Sequence, residues 1–266
     1  DQAAIALLGM SGSWMAFETR VRASVQRHPR HFGLVGQLGW LLWQVGRLRE
    51  SLVHWQEMLS LDQASPWPHN ACATVLWATN RLEEADRAFR ENLELFPSYP
   101  AIWFGRFEFL LVSGRIAEAL GLLDNQSGWP VGIPHSEFAE LRQTALALQS
   151  RDPAAIDAVM RLNSEKARRG TGYAEVAIKY ASLFGRLNEA FVIANAFFFG
   201  RGFDLGDLRY TAEAGIRDPR RERRTHFLFL PTTAALRADP RFERLVSEIG
   251  LARYWADSGT RPDYRG

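Results

Sequence analysis

Residues 66–97 read PWPHNACATVLWATNRLEEADRAFRENLELFP, and this stretch decides the fold. Its first half is largely apolar and runs up to the string Asn80-Arg81-Leu82. In its second half, the apolar residues Leu82, Ala85, Phe89 and Leu93 recur at helical intervals, and most of the residues between them are charged. This spacing predicts an amphipathic helix that stops at Pro97. The stretch therefore predicts two helices joined by a turn at Asn80.

The turn string recurs along the chain at a regular interval. Gly46-Arg47-Leu48 precedes the string at Asn80, and Gly114-Arg115-Ile116 follows it at the same spacing. A fourth copy begins at Gly185, close to two such intervals further on, and the register extended backward puts Gly12 in the same position. Gly or Asn at such a turn takes the left-handed conformation that ends a helix. No strand-type alternation of useful length is present, so the sequence predicts an all-α stack of antiparallel helical hairpins.

A helix–turn–helix unit that repeats at the interval from Gly46 to Asn80 resembles the tetratricopeptide repeat (TPR) family, whose period is about 34 residues. With the turn residue at repeat position 15, Ala73 occupies the small-residue position 8, and Ala85 and Phe89 occupy positions 20 and 24. The resemblance implies an α-solenoid, a TPR-like superhelix, in which small residues at positions 8 and 20 let the helices approach closely. The third unit departs from the pattern because Phe107 stands at position 8, which predicts wider or shifted packing there.

The period also predicts how the chain is divided. TPR-like repeats are expected over residues 1–131, with the first unit truncated, and divergent helical hairpins over 132–203. Within the divergent part, Asp152 and Pro153 are typical of a helix start, as N-cap and first helical residue. The period is lost over 204–266, which is expected to form an irregular C-terminal cap. We expect these parts to make one continuous solenoid domain.

Composition excludes several classes of protein. The chain has 266 residues, 47% hydrophobic and 23% charged, with one cysteine, which rules out disorder and a disulfide framework. No apolar run is long enough to span a bilayer, no signal peptide is visible, and the unpaired cysteine favours a cytoplasmic location. A formal charge of +2 argues against direct nucleic-acid contact. The missing initiator Met predicts a processed or excised piece.

The TPR resemblance implies a concave groove lined by the first helix of each hairpin. By register, the candidate groove residues are Trp40, Trp43 and Gln44, then Trp67, Asn70, Thr74 and Trp77, then Phe104 and Glu108. Aromatic side chains are favoured anchors at binding surfaces, so the groove is predicted to bind a peptide or protein. The alternative is that tight winding or the C-terminal tail fills the groove. No lysine lies there, which argues against the subset of the family that grips C-terminal carboxylates.

Two other segments have two interpretations each. The run from Phe191 to Phe199 is apolar on nearly all faces, as expected of a buried helix or of a homodimer interface made by Phe191, Phe197, Phe198 and Phe199. The basic run from Arg217 to Arg224 is a solvated loop or a contact for phosphates or an acidic protein. No catalytic motif or metal-ligand spacing is present, so no enzyme activity, metal or cofactor is predicted.

The C-terminal segment carries a second resemblance. Residues 228–231 read LFLP, residues 236–242 read LRADPRF, and Tyr254-Trp255 and Pro262-Asp263 follow. The string from Leu228 to Asp263 looks like the end of bacterial transcriptional regulators that join a winged-helix DNA-binding domain to a TPR sensor region. This resemblance implies a non-catalytic sensor or interaction region. The alternatives are a stand-alone scaffold for a multiprotein complex and the non-catalytic repeat region of a larger enzyme.

Overall fold

The computed structural model describes residues 14–205 and 224–265. Within these ranges the chain forms fourteen α-helices and four short 3-10 helices, and no strand. The predicted all-α fold is therefore confirmed. No helix in the described ranges is both long and apolar enough to cross a membrane. The predicted turn at Gly12 and residues 217–223 of the predicted basic run lie outside the described residues.

The helices follow one another in chain order. They are α1 (Trp14–Arg27), α2 (Phe32–Gln44), α3 (Leu48–Leu61), α4 (Pro66–Ala78), α5 (Leu82–Leu95), α6 (Pro100–Val112), α7 (Ile116–Asp124), α8 (His135–Ser150), α9 (Pro153–Ala167), α10 (Thr171–Leu183), α11 (Leu187–Phe199), α12 (Ala234–Ala238), α13 (Arg241–Ile249) and α14 (Leu251–Ser258). Helices that are consecutive in sequence pack on each other, as in α2 with α3 and α10 with α11. This packing is that of a TPR-like stack of hairpins.

The four copies of the turn string end helices in the same way. Gly46, Asn80, Gly114 and Gly185 all adopt a left-handed conformation, with φ between 62° and 81°. After each of them, the arginine N–H bonds back to the carbonyl five residues earlier, as Arg47 does to Leu42 at 2.8 Å. This is the Schellman arrangement, which satisfies carbonyls that the end of a helix would otherwise leave unpaired. The predicted conformation of the turn residue is confirmed.

Small residues bring the helices of the first hairpin together. A Cβ added to Gly39, at position 8, would lie 3.1 Å from the Trp55 ring on α3. Ser51, at position 20, donates to the Gly39 carbonyl at 2.7 Å and accepts from the Trp55 indole at 2.8 Å. The third hairpin accommodates Phe107 differently, since its ring is fully buried and stacks on Trp103 with centroids 5.7 Å apart. The predicted cap at Asp152 is confirmed by its hydrogen bonds from the N–H groups of Ala154 and Ala155.

The chain divides into two compact units. Unit 1 comprises described residues 14–92, 224–230 and 238–265. Unit 2 comprises described residues 93–205 and 231–237. The C-terminal tail thus contributes residues to both units, and it is the part of the chain that lacks the repeat period.

Candidate functional site

The groove positions of α2 meet the tail within unit 1. The His226 ring lies 4.8 Å from Trp40 and 5.4 Å from Trp43, measured between ring centroids. The hydroxyl of Thr225 donates to the Gln44 carbonyl at 2.5 Å. Trp43 is only 4% exposed and Trp40 is half-buried. The tail therefore covers the predicted groove positions Trp40, Trp43 and Gln44 at the end of α2.

The groove positions of α4 differ along the helix. Trp77 (2% exposed) and Thr74 are buried, and the Thr74 hydroxyl donates to the Asn70 carbonyl at 2.8 Å. Trp67 is 36% exposed, and its ring lies edge-on to Trp55 at 4.9 Å. The first turns of α4 are therefore the accessible part of this surface.

Two amide side chains lie close in sequence to the contact between α2 and α4. A Cβ added to Gly36 on α2 would lie 3.0 Å from the Trp67 ring, so the indole rests directly on the α2 backbone. Gln37 follows Gly36, and Asn70 lies one helical turn beyond Trp67. The side-chain oxygens of Gln37 and Asn70 are buried and have no hydrogen-bond partner among the described residues. We call Gly36, Gln37, Trp67 and Asn70 the α2–α4 surface.

The turn between α2 and α3 holds the tail through a network that sequence reasoning missed. Glu18 on α1 accepts hydrogen bonds from Arg22 at 2.8 Å, from Arg47 at 2.7 Å and from the Tyr254 hydroxyl on α14 at 2.7 Å. Arg47 also donates to the Tyr254 oxygen at 2.8 Å, and both arginines pair with Glu50. One buried carboxylate therefore links α1, the first repeat turn and the tail.

Backbone bonds complete the same docking site. The Trp255 indole donates to the Val45 carbonyl at 2.8 Å, and the Asp263 N–H donates to the Gly46 carbonyl at 2.9 Å. The Asp263 carboxylate accepts from the Arg49 N–H at 2.8 Å. The tail thus pairs with the backbone at the end of the first repeat turn, where the carbonyls of a helix end need partners.

The network shifts the pKa values of its members. Burial raises the pKa of Glu18, but hydrogen bonds from Tyr254 and Arg22 and the charge of Arg47 outweigh it, so the net pKa lies below its ordinary value. Burial and the hydrogen bond to Glu18 raise the pKa of Tyr254 to about 12. Glu18 is therefore held ionised and Tyr254 protonated, which is the state in which the hydroxyl donates to the carboxylate.

In unit 2, the groove positions pair with one another. Glu108 is buried and forms an ion pair with Lys179 on α10 at 2.5 Å. Lys179 lies at position 9 of its own unit, as Glu108 does in the third, so equivalent positions of two hairpins meet directly. Phe104, one turn before Glu108, is half-exposed and lies edge-on to Trp103 at 5.4 Å.

The tail also enters unit 2. The 3-10 helix Pro231–Thr233 packs against α10 and α6. The Ser182 hydroxyl on α10 accepts a hydrogen bond from the Leu236 N–H at 3.1 Å, and Ser182 lies at groove position 12. Thr233 and Leu236 are fully buried. In unit 2, therefore, both an ion pair and a tail segment fill groove positions.

The apolar helix α11 divides into a buried and an accessible part. Phe191 and Phe197 are buried, whereas Phe198 and Phe199 are half-exposed and Val192 is exposed. The two phenylalanines of the first group therefore belong to the interior of unit 2. Phe198 and Phe199 lie at the end of the helix, where the Arg201 guanidinium lies over the Phe199 ring at 4.9 Å.

Other features of the described residues carry no visible chemistry. A cavity of about 190 Å³ in unit 2 is lined mainly by apolar side chains, namely Leu93, Pro97, Trp103 and Leu122, with Asn125 and Gly128. Cys72 is buried, and desolvation raises the pKa of its thiol to about 12, so it is not a nucleophile at neutral pH. No group of three or more His, Cys, Asp or Glu side chains among the described residues is placed to hold a metal ion.

Comparison with known proteins identifies a repeat family over one hairpin of the chain. A family model described as Tetratricopeptide repeat matches residues 66–91, which comprise α4 and most of α5. No curated protein matches the chain. The match covers the hairpin that carries Trp67 and Asn70, and it indicates a protein-interaction role for the repeats.

Proposed function

We propose that this chain binds a protein partner, and that an extended segment of the partner lies on the α2–α4 surface. The observation that carries the proposal is the exposed Trp67 ring seated on Gly36, together with the side-chain oxygens of Gln37 and Asn70 on the same two helices, which lack partners among the described residues. A buried acceptor without a partner costs about 1–3 kcal/mol. Gln37 and Asn70 are only half-buried residues, so their amides can rotate toward the surface, where backbone N–H groups of a bound segment would satisfy the oxygens. An apolar side chain of the segment would pack on the indole.

The other groove residues take supporting roles in this proposal. Trp43, Thr74 and Trp77 are buried, so they hold the backbone and rings beneath the surface in place. Gln44 is bound by the tail through its carbonyl. In unit 2, Phe104 is accessible for a partner, whereas Glu108 is already neutralised by Lys179.

A phage-displayed peptide selection on the full chain tests the proposed surface. Trp67→Ala is expected to weaken the enriched peptide about tenfold or more, since a central aromatic anchor contributes about 2 kcal/mol. Asn70→Ala is expected to weaken it by about fivefold through one lost hydrogen bond. Val53→Ala, an exposed apolar residue on α3 (58% exposed), is the control and should leave the Kd within about twofold. Unchanged binding by Trp67→Ala at wild-type helicity would remove the proposal.

We further propose that the chain is the sensor region of a bacterial transcriptional regulator. The support is the resemblance of Leu228 to Asp263 to the end of such regulators, together with the docking of Tyr254, Trp255 and Asp263 on the first repeat turn. The coding sequence upstream of Asp1 tests it, and a winged-helix domain is expected there. A catalytic domain would favour the repeat region of an enzyme, and an immediate initiator Met would favour a stand-alone scaffold.

A further inference from the structure

Three arginines of unit 2 stack on aromatic rings at one edge of the helical stack. The Arg168 guanidinium lies over the Phe203 ring at 4.6 Å from its centroid. Arg169 lies over Tyr173 at 5.1 Å, and Arg201 lies over Phe199 at 4.9 Å. We call Arg168, Arg169 and Arg201 the arginine edge.

The topology of unit 2 brings these residues together. Residues 168–170 connect the end of α9 to the start of α10, which places Arg168 and Arg169 beside Tyr173. Helices α10 and α11 form an antiparallel hairpin, so the end of α11 returns to the start of α10. The contact between Arg168 and Phe203 closes this edge, because Phe203 follows α11.

Two of the three arginines at this edge have no carboxylate partner in the part of the chain that the structure describes. Arg168 and Arg169 are exposed, and neither forms an ion pair with any residue that the structure describes. The neighbouring cation Lys166 shows the contrast, since it pairs with Glu137 at 2.7 Å and also with Glu140. Two guanidinium groups in fixed positions thus retain their positive charge toward solvent.

Stacking prepares these groups to bind an anion. An aromatic ring offers a guanidinium no oxygen acceptor, so the N–H donors of an arginine beside a ring remain available for an anion. The ring also restricts the long side chain, so less rotamer entropy is lost when an anion binds. A planar fork held in this way suits the two oxygens of a carboxylate.

We propose that the arginine edge docks an acidic segment, rich in Asp and Glu, of a partner protein. Charge complementarity supports this occupant. A single-stranded nucleic acid fits less well, because proteins hold bases by stacking on aromatic faces and these faces are already covered by guanidinium groups. This surface lies in unit 2 and is independent of the α2–α4 surface.

Binding of a fluorescein-labelled peptide of ten glutamates to the full chain tests the arginine edge. Fluorescence anisotropy at low salt should show binding that weakens about tenfold or more in Arg168→Gln/Arg169→Gln. The matched control is Arg20→Gln/Arg27→Gln, which removes the same charge from exposed positions of α1 and should change the Kd less than about twofold. Phe203→Leu keeps every charge but removes one ring, and it should weaken binding severalfold.

Several outcomes would overturn the proposal. One is an equal loss in the two arginine double variants, which would indicate attraction by net charge alone. Another is the absence of peptide binding by the wild-type chain at low salt. A third is tighter binding of a ten-residue oligothymidylate than of the peptide, with loss in Arg168→Gln/Arg169→Gln, which would assign the edge to nucleic acid. All of the replaced side chains except Phe203 are exposed, and circular dichroism confirms that each variant is folded.

Discussion

Replacing Gly46 by alanine measures how firmly the tail is held on the first repeat turn. Gly46 and Gly114 occupy the same repeat position and have φ of 81° and 73°. An alanine at either position must adopt the left-handed conformation, which costs roughly 1–2 kcal/mol. Their surroundings differ. A Cβ at Gly46 would lie 2.9 Å from the Phe229 ring and 2.9 Å from Cβ of Pro262, whereas a Cβ at Gly114 meets no described atom within 4 Å.

The difference between the two variants isolates the tail contact. Forcing an extra carbon into a packed site costs typically about 1–3 kcal/mol, and neither the Phe229 ring nor the Pro262 ring can move its end away as a flexible chain does. Gly46→Ala is therefore expected to lose about 1–3 kcal/mol more stability than Gly114→Ala. Urea unfolding of the full chain, followed by tryptophan fluorescence and circular dichroism, compares the two.

Hydrogen exchange shows which part of the chain loses stability in Gly46→Ala. The Asp263 N–H donates to the Gly46 carbonyl, so its amide should exchange faster in Gly46→Ala and at the wild-type rate in Gly114→Ala. Equal losses of stability in the two variants, with unchanged exchange at Asp263, would refute the inference that the tail packs on this turn.

Three further predictions concern buried polar groups. Tyr254→Phe should lower the free energy of unfolding by about 2–3 kcal/mol, because Glu18 loses a hydrogen bond. The control Tyr99→Phe should lower it by less than about 0.5 kcal/mol. Equal losses in a urea titration would contradict this prediction. The folded-state pKa of Glu18 is lowered, so the stability that this carboxylate contributes is complete above about pH 5 and is lost as the pH falls through the folded-state pKa. Glu18→Gln should therefore flatten the acid side of the plot of unfolding free energy against pH. An unchanged plot would count against the network. Lys179→Met should lower the free energy of unfolding by roughly 3–5 kcal/mol in the same titration, because Glu108 stays buried without its cation. Adding Glu108→Leu to this variant should recover most of the lost stability. If stability is not recovered, the broken ion pair is not the cause of the loss.

The local structure of the hairpins was predictable from the sequence because each signal is local. The left-handed turn at Asn80 and the cap at Asp152 depend on residues within one or two helical turns. The packing of Gly39 and Ser51 follows from the repeat register, which places positions 8 and 20 opposite each other in the first hairpin. Period and residue type therefore determine these features without knowledge of distant contacts.

The docking of the tail was not predictable in this way. Glu18 and Tyr254 are 236 residues apart, and the segment that carries Tyr254 has no period that would place it in register. Gly46 and Gly114 have the same sequence context, yet only Gly46 of this pair is covered by the tail. The distinction arises from tertiary contacts, and no pattern within a single repeat records it.

The ion pair between Glu108 and Lys179 in unit 2 has a signal in the sequence. Glu108 and Lys179 occupy position 9 of their units, and opposite charges at an inward-facing position are expected when two first helices approach each other. The chain has only two lysines, and both pair with glutamates inside unit 2. Comparing equivalent positions across units, rather than scoring each unit alone, would have predicted this pair.

The tail changes which tryptophans can act as anchors for a ligand. The register treats Trp40, Trp43, Trp67 and Trp77 alike, but the rings on α2 are in contact with His226, and Trp77 is buried. An anchor must be accessible before binding and desolvated after it, and among these four residues Trp67 meets that condition best. Binding specificity in unit 1 is therefore expected to depend on the first turns of α4, with Trp43 and Trp77 affecting affinity only through the stability of the helices beneath.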